Sequence, residues 1–486
     1  MKKFLLFFSF TFYFWIVAFP QPAIKNVIFL VPDGTSLGVL SLARWYQFYR
    51  DTSQTRLSVD PLLCGMVKTH SSNAPIGDSA PTMSWYMTGY PSQTKFVSMY
   101  PPQSVHDLVP IDISLSYSPR ITVMEAARIA QNKAIGLVFT CEFPNATPAA
   151  TSAHWYDRSN YQIIMQQMRN NSIDVMIGGG AKLLTMQDSL SLTKKGYQVY
   201  KNRLNSFRNA KDEKLWALFG DAGKEGYMDN DWDRDTAQQP SLAEMTEKAI
   251  QLLSQNKEKN GFFLMVEGSK IDWAAHDNNP IGILSEFLAF DAAVKVAIDF
   301  AQKSGETLVV ICPDHGNGGV SIGNKRSNHN YDKLSLTELM KPIIKGKQSK
   351  THIGFTTIGH TGEDVFLAIY DPRPNQRLTG LITPTEINRY MYHAIGVPSL
   401  DSLTNLYYCK LTDMFNETAF SITPLDFNQV KITSKNNPNK TLIIEAHSNR
   451  VFLQEQIRHT MTPAIYVDKN KTWYISRECL QFFNSL

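Results

Sequence analysis

GFFLMVEGSKIDWAAHDN, residues 261–278, holds a strand, an acid and a helical pair of cation ligands in succession. Phe262 to Val266 is an apolar run of strand length between glycines, the pattern of a strand covered on both faces. Glu267 ends it. Asp272 and His276 follow four residues apart, which sets both side chains on one helical face, where they can bind a single cation. By itself an Asp-x-x-x-His pair is mostly a surface coincidence. Its weight depends on the rest of the chain.

The same grammar recurs on both sides. Val27 to Val31 runs into Pro32-Asp33-Gly34, and Leu308 to Cys312 into Pro313-Asp314-His315-Gly316. The run from Gly136 leads through a short loop to Asn145-Ala146-Thr147, and Val175 to Ile177 is a further apolar piece. Helical patterns lie between them. Ser241 to Ser254 opens on Ser241 with Glu244 three residues on, the signature of a capping box, and carries Leu242, Met245, Ala249 and Leu252 on one face. This alternation predicts an α/β fold with a central, mostly parallel sheet flanked by helices on both faces. In such sheets ligands bind at the carboxyl ends of the strands. Three strands ending in an acid or in Asp-His therefore predict a metal site at one sheet edge.

Ser79 lies in GDSAPTMSWYMTG, residues 77–89. It reads as a helix N-cap with Pro81 in the first turn, a place where backbone N–H groups and the helix dipole favour an incoming phosphate. Taken separately, Ser79 is only a cap and His360 an ordinary histidine. Together with Asp33, Glu267, Asp272, His276, Asp314 and His315 they form a candidate catalytic constellation.

The chain has 486 residues, 43% hydrophobic and 19% charged, enough for one large α/β domain or two smaller ones. Lys2 and Lys3 precede an apolar stretch from Phe4 to Phe19, the order of a secretory leader, and cleavage is expected after Ala18. The expected organisation is a leader at 1–18, a catalytic domain at 21–400 and a C-terminal extension at 401–486. No later segment reaches the roughly 20 apolar residues of a membrane helix. Removing the leader lowers the formal charge from +4 to about +2, and no basic run remains, so nucleic acid is not an expected partner. The cysteines at 64, 141, 312, 409 and 479 lack C-x-x-C spacing; Cys409 and Cys479 could pair in an oxidising compartment.

KNVIFLVPDG, GDSAPTMSWYMTG, NATPAATSAHWYDR, PSLAEMTEKAI, GFFLMVEGSKIDWAAHDN, ETLVVICPDHGNGG and GHTGEDV resemble the alkaline phosphatase family in order and spacing. They run from Lys25 to near Val397, about three quarters of the chain. The resemblance implies that Asp272, His276 and His360 would bind one zinc. Asp33, Asp314 and His315 would bind a second, which also contacts Ser79. Asp33, Thr147 and Glu267 would form a third site, usually filled by magnesium, and Arg158 would grip the phosphate. It further implies hydrolysis of small phosphate monoesters through a phosphoserine at Ser79, an alkaline pH optimum, a homodimer, and a periplasmic or secreted location. Two positions depart from the best-known bacterial pattern: Asn145 stands where a carboxylate is common, and Trp273 where lysine or histidine is common. Both remove charge or a potential ligand, which bears on the third metal and on the hold on product phosphate.

Related hydrolases with the same two-metal core cleave phosphodiesters, sulfates or phosphonates. A diesterase would be expected to lack Arg158 and the Glu267–Thr147 pair, which suit a dianionic monoester. A silent binding protein of the cell envelope is the reading from another class. It conflicts with a full set of acids, serine and arginine, since clustered acids are costly without a cation to hold.

Overall fold

The computed structural model describes residues 24–323, 335–345, 352–426, 428–454 and 456–485; the expected leader at 1–18 lies outside them. The main sheet has ten strands. In chain order they are β1 (Asn26–Pro32), β2 (Leu63–Val67), β3 (Ala134–Glu142), β4 (Val175–Gly179), β5 (Gln198–Lys201), β6 (Leu215–Phe219), β7 (Phe262–Gly268), β8 (Thr307–Ile311), β9 (Val365–Tyr370) and β10 (Gly380–Ile382). Across the sheet they run β10-β2-β9-β8-β1-β7-β3-β4-β6-β5. All neighbours are parallel except those of β9, which opposes β2 and β8.

β1 shows why this sheet needs cover on both faces. Side chains alternate along a strand, and all seven residues of β1 are buried. Val27, Phe29 and Val31 enter one core, and Ile28 and Leu30 enter another. The Ser79–Thr88 and Val123–Gln131 helices close the first, and the Leu242–Gln255 and Pro280–Ser304 helices close the second. The mostly parallel, helix-flanked sheet read from the sequence is the architecture observed. The expected capping box at Ser241 is half formed. Ser241 Oγ accepts from the Glu244 amide at 3.1 Å, but the Glu244 carboxylate is turned to Arg208 at 2.6 Å, because an arginine offers it a charge-assisted bond.

Register decides what the strand ends bring together. Val31 lies beside Glu267 and Pro32 beside Gly268 in the β1–β7 pair, and Leu30 lies beside Ile311 in the β1–β8 pair. Parallel strands aligned in this way deliver Asp33, Glu267 and Asp314-His315 to one edge of the sheet.

Beyond Leu400 the chain builds a separate apolar core around Val430, Ile432, Leu442, Ile444, Val451 and Leu453. The middle three of five antiparallel strands supply these residues; the five, Phe420–Pro424, Gln429–Ser434, Thr441–Glu445, Arg450–Leu453 and Gln456–His459, pair in chain order. A further short strand, Ile465–Val467, follows. Tyr408 ties this region to the Val123–Gln131 helix, since its hydroxyl donates to the buried Glu125 carboxylate at 2.7 Å. The five cysteines are free thiols, so Cys409 and Cys479 are not joined. No described helix is long and apolar enough to cross a membrane.

Candidate active site

Asp33 and Asp314 follow closely on strands at the carboxyl edge. Asp33 follows β1, with its amide donating to Gly268 O at 3.3 Å. The next residue is obligatorily glycine. Gly34 has φ +62°, and a Cβ there would stand 2.4 Å from Asp272 Oδ1. Asp272 and His276 lie on the Lys270–His276 helix, as their spacing predicts. The Ser79–Thr88 helix differs from expectation: Ser79 is its first residue, and Asp78 occupies the cap position. Asp78 does not bond the helix amides because its carboxylate pairs with Arg158 Nη1 at 2.7 Å.

The first ligand group is Asp272, His276 and His360. His276 Nδ1 faces Ile358 O at 2.7 Å, and His360 Nδ1 faces Gly77 O at 2.9 Å. A carbonyl only accepts, so both Nδ1 atoms carry protons, and in the neutral rings both Nε2 atoms carry lone pairs. Those Nε2 atoms are 3.2 Å apart and lie 3.4 and 3.6 Å from Asp272 oxygens. Two lone pairs that close repel unless a cation or a proton lies between them. The hydrogen bond to Asp272 pulls the His276 pKa up to about 9, whereas burial and His315 push His360 down. Burial works against the Asp272 carboxylate, but the bond to His276 and the surrounding imidazoles overcome it and hold it at about 2. Asn317 Nδ2 donates to Asp272 Oδ1 at 2.7 Å and fixes the carboxylate's orientation.

The second group is Asp33, Asp314 and His315, all buried. Asp314 Oδ1 accepts from the amides of Gly34 and His315 at 3.1 and 2.9 Å, while Oδ2 is buried with no hydrogen-bond partner. His315 Nε2 lies 3.4 Å from that orphaned oxygen and 3.5 Å from Asp33 Oδ1. Ser79 Oγ reaches into the same group, 3.2 Å from His315 Nε2 and 3.4 Å from Asp33 Oδ1. The His315 and His360 rings stack at 3.8 Å, so the two groups are contiguous. Burial, then Asp314, Asp272 and Glu267, raise the Asp33 pKa well above the carboxylate range. An oxygen-rich set with an orphaned carboxylate oxygen and convergent imidazoles fits divalent cations, and it is otherwise an expensive arrangement of buried charge.

Glu267 and Thr147 complete the surroundings. Burial raises the Glu267 pKa to about 7. Thr147 Oγ1 is buried without a hydrogen-bond partner, as a hydroxyl reserved for a ligand would be. Arg158 spans Asp78 and Asn145, with Nη2 donating to Asn145 Oδ1 at 3.0 Å. Trp273 packs edge-on against Tyr227 at 4.9 Å, with Lys270 Nζ 5.5 Å from its ring. Sequence reasoning left Asp78 and Asn317 without roles. The adjacency of Asp78 to Ser79 and of Asn317 to the Asp-His pair was the signal available for each.

A family model described as alkaline phosphatase matches residues 24–340. Alkaline phosphatase 3 of Bacillus subtilis is 32% identical over 441 residues, covering 77% of this chain and 90% of its own length. The alkaline phosphatase of Escherichia coli K12 is 28% identical and matches 78% of this chain and 87% of its own. Among solved structures, the cold-active alkaline phosphatase of a psychrophilic Shewanella superimposes with a TM-score of 0.64 at 27% identity. The match covers 76% of this chain and 99% of that one. A TAB5 alkaline phosphatase variant with Mg bound in its M3 site superimposes with a TM-score of 0.61 at 25% identity, over 78% of this chain and 100% of that one.

Proposed function

Since the chain belongs to the alkaline phosphatase family and is a phosphatase, we propose that it hydrolyses small phosphate monoesters through a phosphoserine at Ser79. Asp272, His276 and His360 would hold one zinc. Asp33, Asp314 and His315 would hold the second beside Ser79, and Asp33, Thr147 and Glu267 would hold magnesium. When bound, these ions supply Lewis-acid charge that favours the serine alkoxide and offsets charge on the reacting oxygens. The chain's own groups do the rest. Ser79, at the first position of its helix, attacks phosphorus from a turn whose free amides suit an anion. Arg158 offers two parallel N–H donors to non-bridging oxygens, a grip that lysine lacks. The Ser79 Oγ–P bond forms as the P–O bond to the alcohol breaks, and the alcohol leaves with a proton. Water then cleaves the phosphoseryl bond, releasing inorganic phosphate and restoring the hydroxyl. Two in-line displacements give net retention at phosphorus.

One observation carries this reading: Ser79 Oγ lies within 3.4 Å of both Asp33 Oδ1 and His315 Nε2, inside the second ligand group. The test is turnover of 4-nitrophenyl phosphate with and without chelator, beside the bis(4-nitrophenyl) ester, for wild type and Ser79→Ala. The monoester should be preferred, chelator should abolish turnover and zinc restore it. Ser79→Ala should lose at least about a thousandfold. A faster diester rate, chelator-insensitive turnover or an active Ser79→Ala protein would each remove part of the reading.

The same proposal includes an alkaline optimum, a homodimer, and a periplasmic or secreted protein that has lost residues 1–18. Residues 21–400 would form the catalytic domain and 401–486 an appended extension. Native mass spectrometry of the exported protein reads subunit number, metal content and the new N-terminus together.

A further inference from the structure

Glu142, the last residue of β3, lies three residues before Asn145 and is 5% exposed. Its Oε1 accepts from Asn145 Nδ2 at 2.9 Å and from the Tyr161 hydroxyl at 2.5 Å. Its Oε2 is buried with no hydrogen-bond partner. Leaving one oxygen of a buried acid unpaired costs free energy that a glutamine or an apolar residue would avoid, so the acid calls for an explanation.

The explanation lies in what Glu142 does to its neighbour. An amide side chain has one accepting and one donating end, and only its surroundings decide which way each points. A carboxylate only accepts, so Glu142 draws the Asn145 NH₂ toward itself. The Asn145 oxygen must then face the other way, where it accepts from Arg158 Nη2 at 3.0 Å and from the Ala146 amide at 2.6 Å. A reversed amide would set NH₂ against the guanidinium, two donors with nothing between them. Tyr161, three residues after Arg158, anchors the acid from the far side. We infer that Glu142 is a positioning residue for Arg158, acting through the amide of Asn145 to hold the guanidinium in its phosphate-binding orientation.

The inference rests on the proposed role of Arg158, and its test separates the two. The measured quantities are KM and kcat for 4-nitrophenyl phosphate and Ki for inorganic phosphate. They are taken for wild type, Glu142→Gln, Arg158→Ala and the double variant, with thermal unfolding recorded alongside. The amide introduced by Glu142→Gln can donate as well as accept, which frees Asn145 to turn. Losing one such constraint should raise KM and Ki together by about three- to tenfold, with kcat within about twofold. In the Arg158→Ala background the same change should leave Ki unaltered, because nothing remains to be oriented. Tyr161→Phe, which loosens the acid without removing its charge, should raise Ki about twofold, and this effect too should vanish without Arg158. A purely structural acid would lower the unfolding temperature of Glu142→Gln and leave Ki unchanged, and that result overturns the inference. So does a Ki change that persists in the double variant. If Glu142→Gln does not fold, an unchanged Ki in Tyr161→Phe overturns it. Unchanged Ki in Arg158→Ala alone would sink the phosphate-binding role of Arg158, and this inference with it.

Discussion

Replacing Arg158 by alanine separates two effects that the structure joins. Arg158 Nη1 and Nη2 are its paired donors, each worth about 1.5–3 kcal/mol when the acceptor is charged. The side chain is 27% exposed, so water competes and the lower end applies, giving roughly 3 kcal/mol for the pair. At 1.36 kcal/mol per decade, kcat/KM for a phosphate monoester falls about a hundredfold. A second cost follows. Without its partner at 2.7 Å, Asp78 carries an unpaired negative charge one residue from Ser79, facing a dianionic substrate. Asp78 is itself 22% exposed, so screening limits this repulsion to about 0.5–1 kcal/mol, a further factor of two to five. The Asp78→Ala, Arg158→Ala double variant should therefore be two- to fivefold more active than Arg158→Ala alone. Steady-state kinetics of the single and double variants reads both terms, and the difference between those two variants should shrink as salt rises because the repulsion is screened. A loss below tenfold in Arg158→Ala, or a double variant no better than the single, refutes this partition.

Three further outcomes are expected. Glu125 is buried, and although burial opposes its charge, His154, Thr122 and Tyr408 hold its pKa near 2 against an ordinary 4.5. A depressed folded-state pKa stabilises above pH 4.5 and fades between pH 4.5 and about 2, so roughly 3 kcal/mol should disappear over that window. Urea unfolding from pH 6 to pH 2 should show this slope in wild type and not in Glu125→Gln, and equal slopes would exclude it. Thr147→Val keeps the shape and removes a buried hydroxyl that lacks a well-formed hydrogen bond; the unfolding temperature should hold while magnesium activation weakens about tenfold. Zinc content by mass spectrometry should not change, and undiminished magnesium activation would release Thr147 from the third site. Gly34→Ala forces a Cβ to within 2.4 Å of Asp272 Oδ1 and should cost one bound zinc with most of the activity. Gly305→Ala, at a similar φ of +66° with nothing within 4 Å, should cost only about 1 kcal/mol of stability. Full zinc occupancy in Gly34→Ala would show that Asp272 is not a ligand.

The amino-acid order by itself determined the elements and the chemistry at their ends. Runs such as Val27–Val31 and Phe262–Val266 are legible because continuous burial leaves no polar position in a strand, and Asp33 and Glu267 stand out because they end such runs. The pairing of Asp272 with His276 is equally local, four residues on one helix. Only the tertiary structure decided which of these ends meet. Sheet order and register bring Asp33, Glu267 and Asp314 to one edge, and packing of separate segments sets Ser79 Oγ beside His315, 236 residues away. The same packing turns Asp78 from a helix cap into the partner of Arg158, 80 residues on, and sets the Gly77 carbonyl to fix the proton of His360. It likewise moves Glu244 from its expected cap to Arg208 and brings Arg158 onto the Asn145 oxygen. Hydrophobic pattern is a property of neighbours along the chain. A hydrogen bond between distant residues depends on how whole layers pack, and no window of sequence contains that.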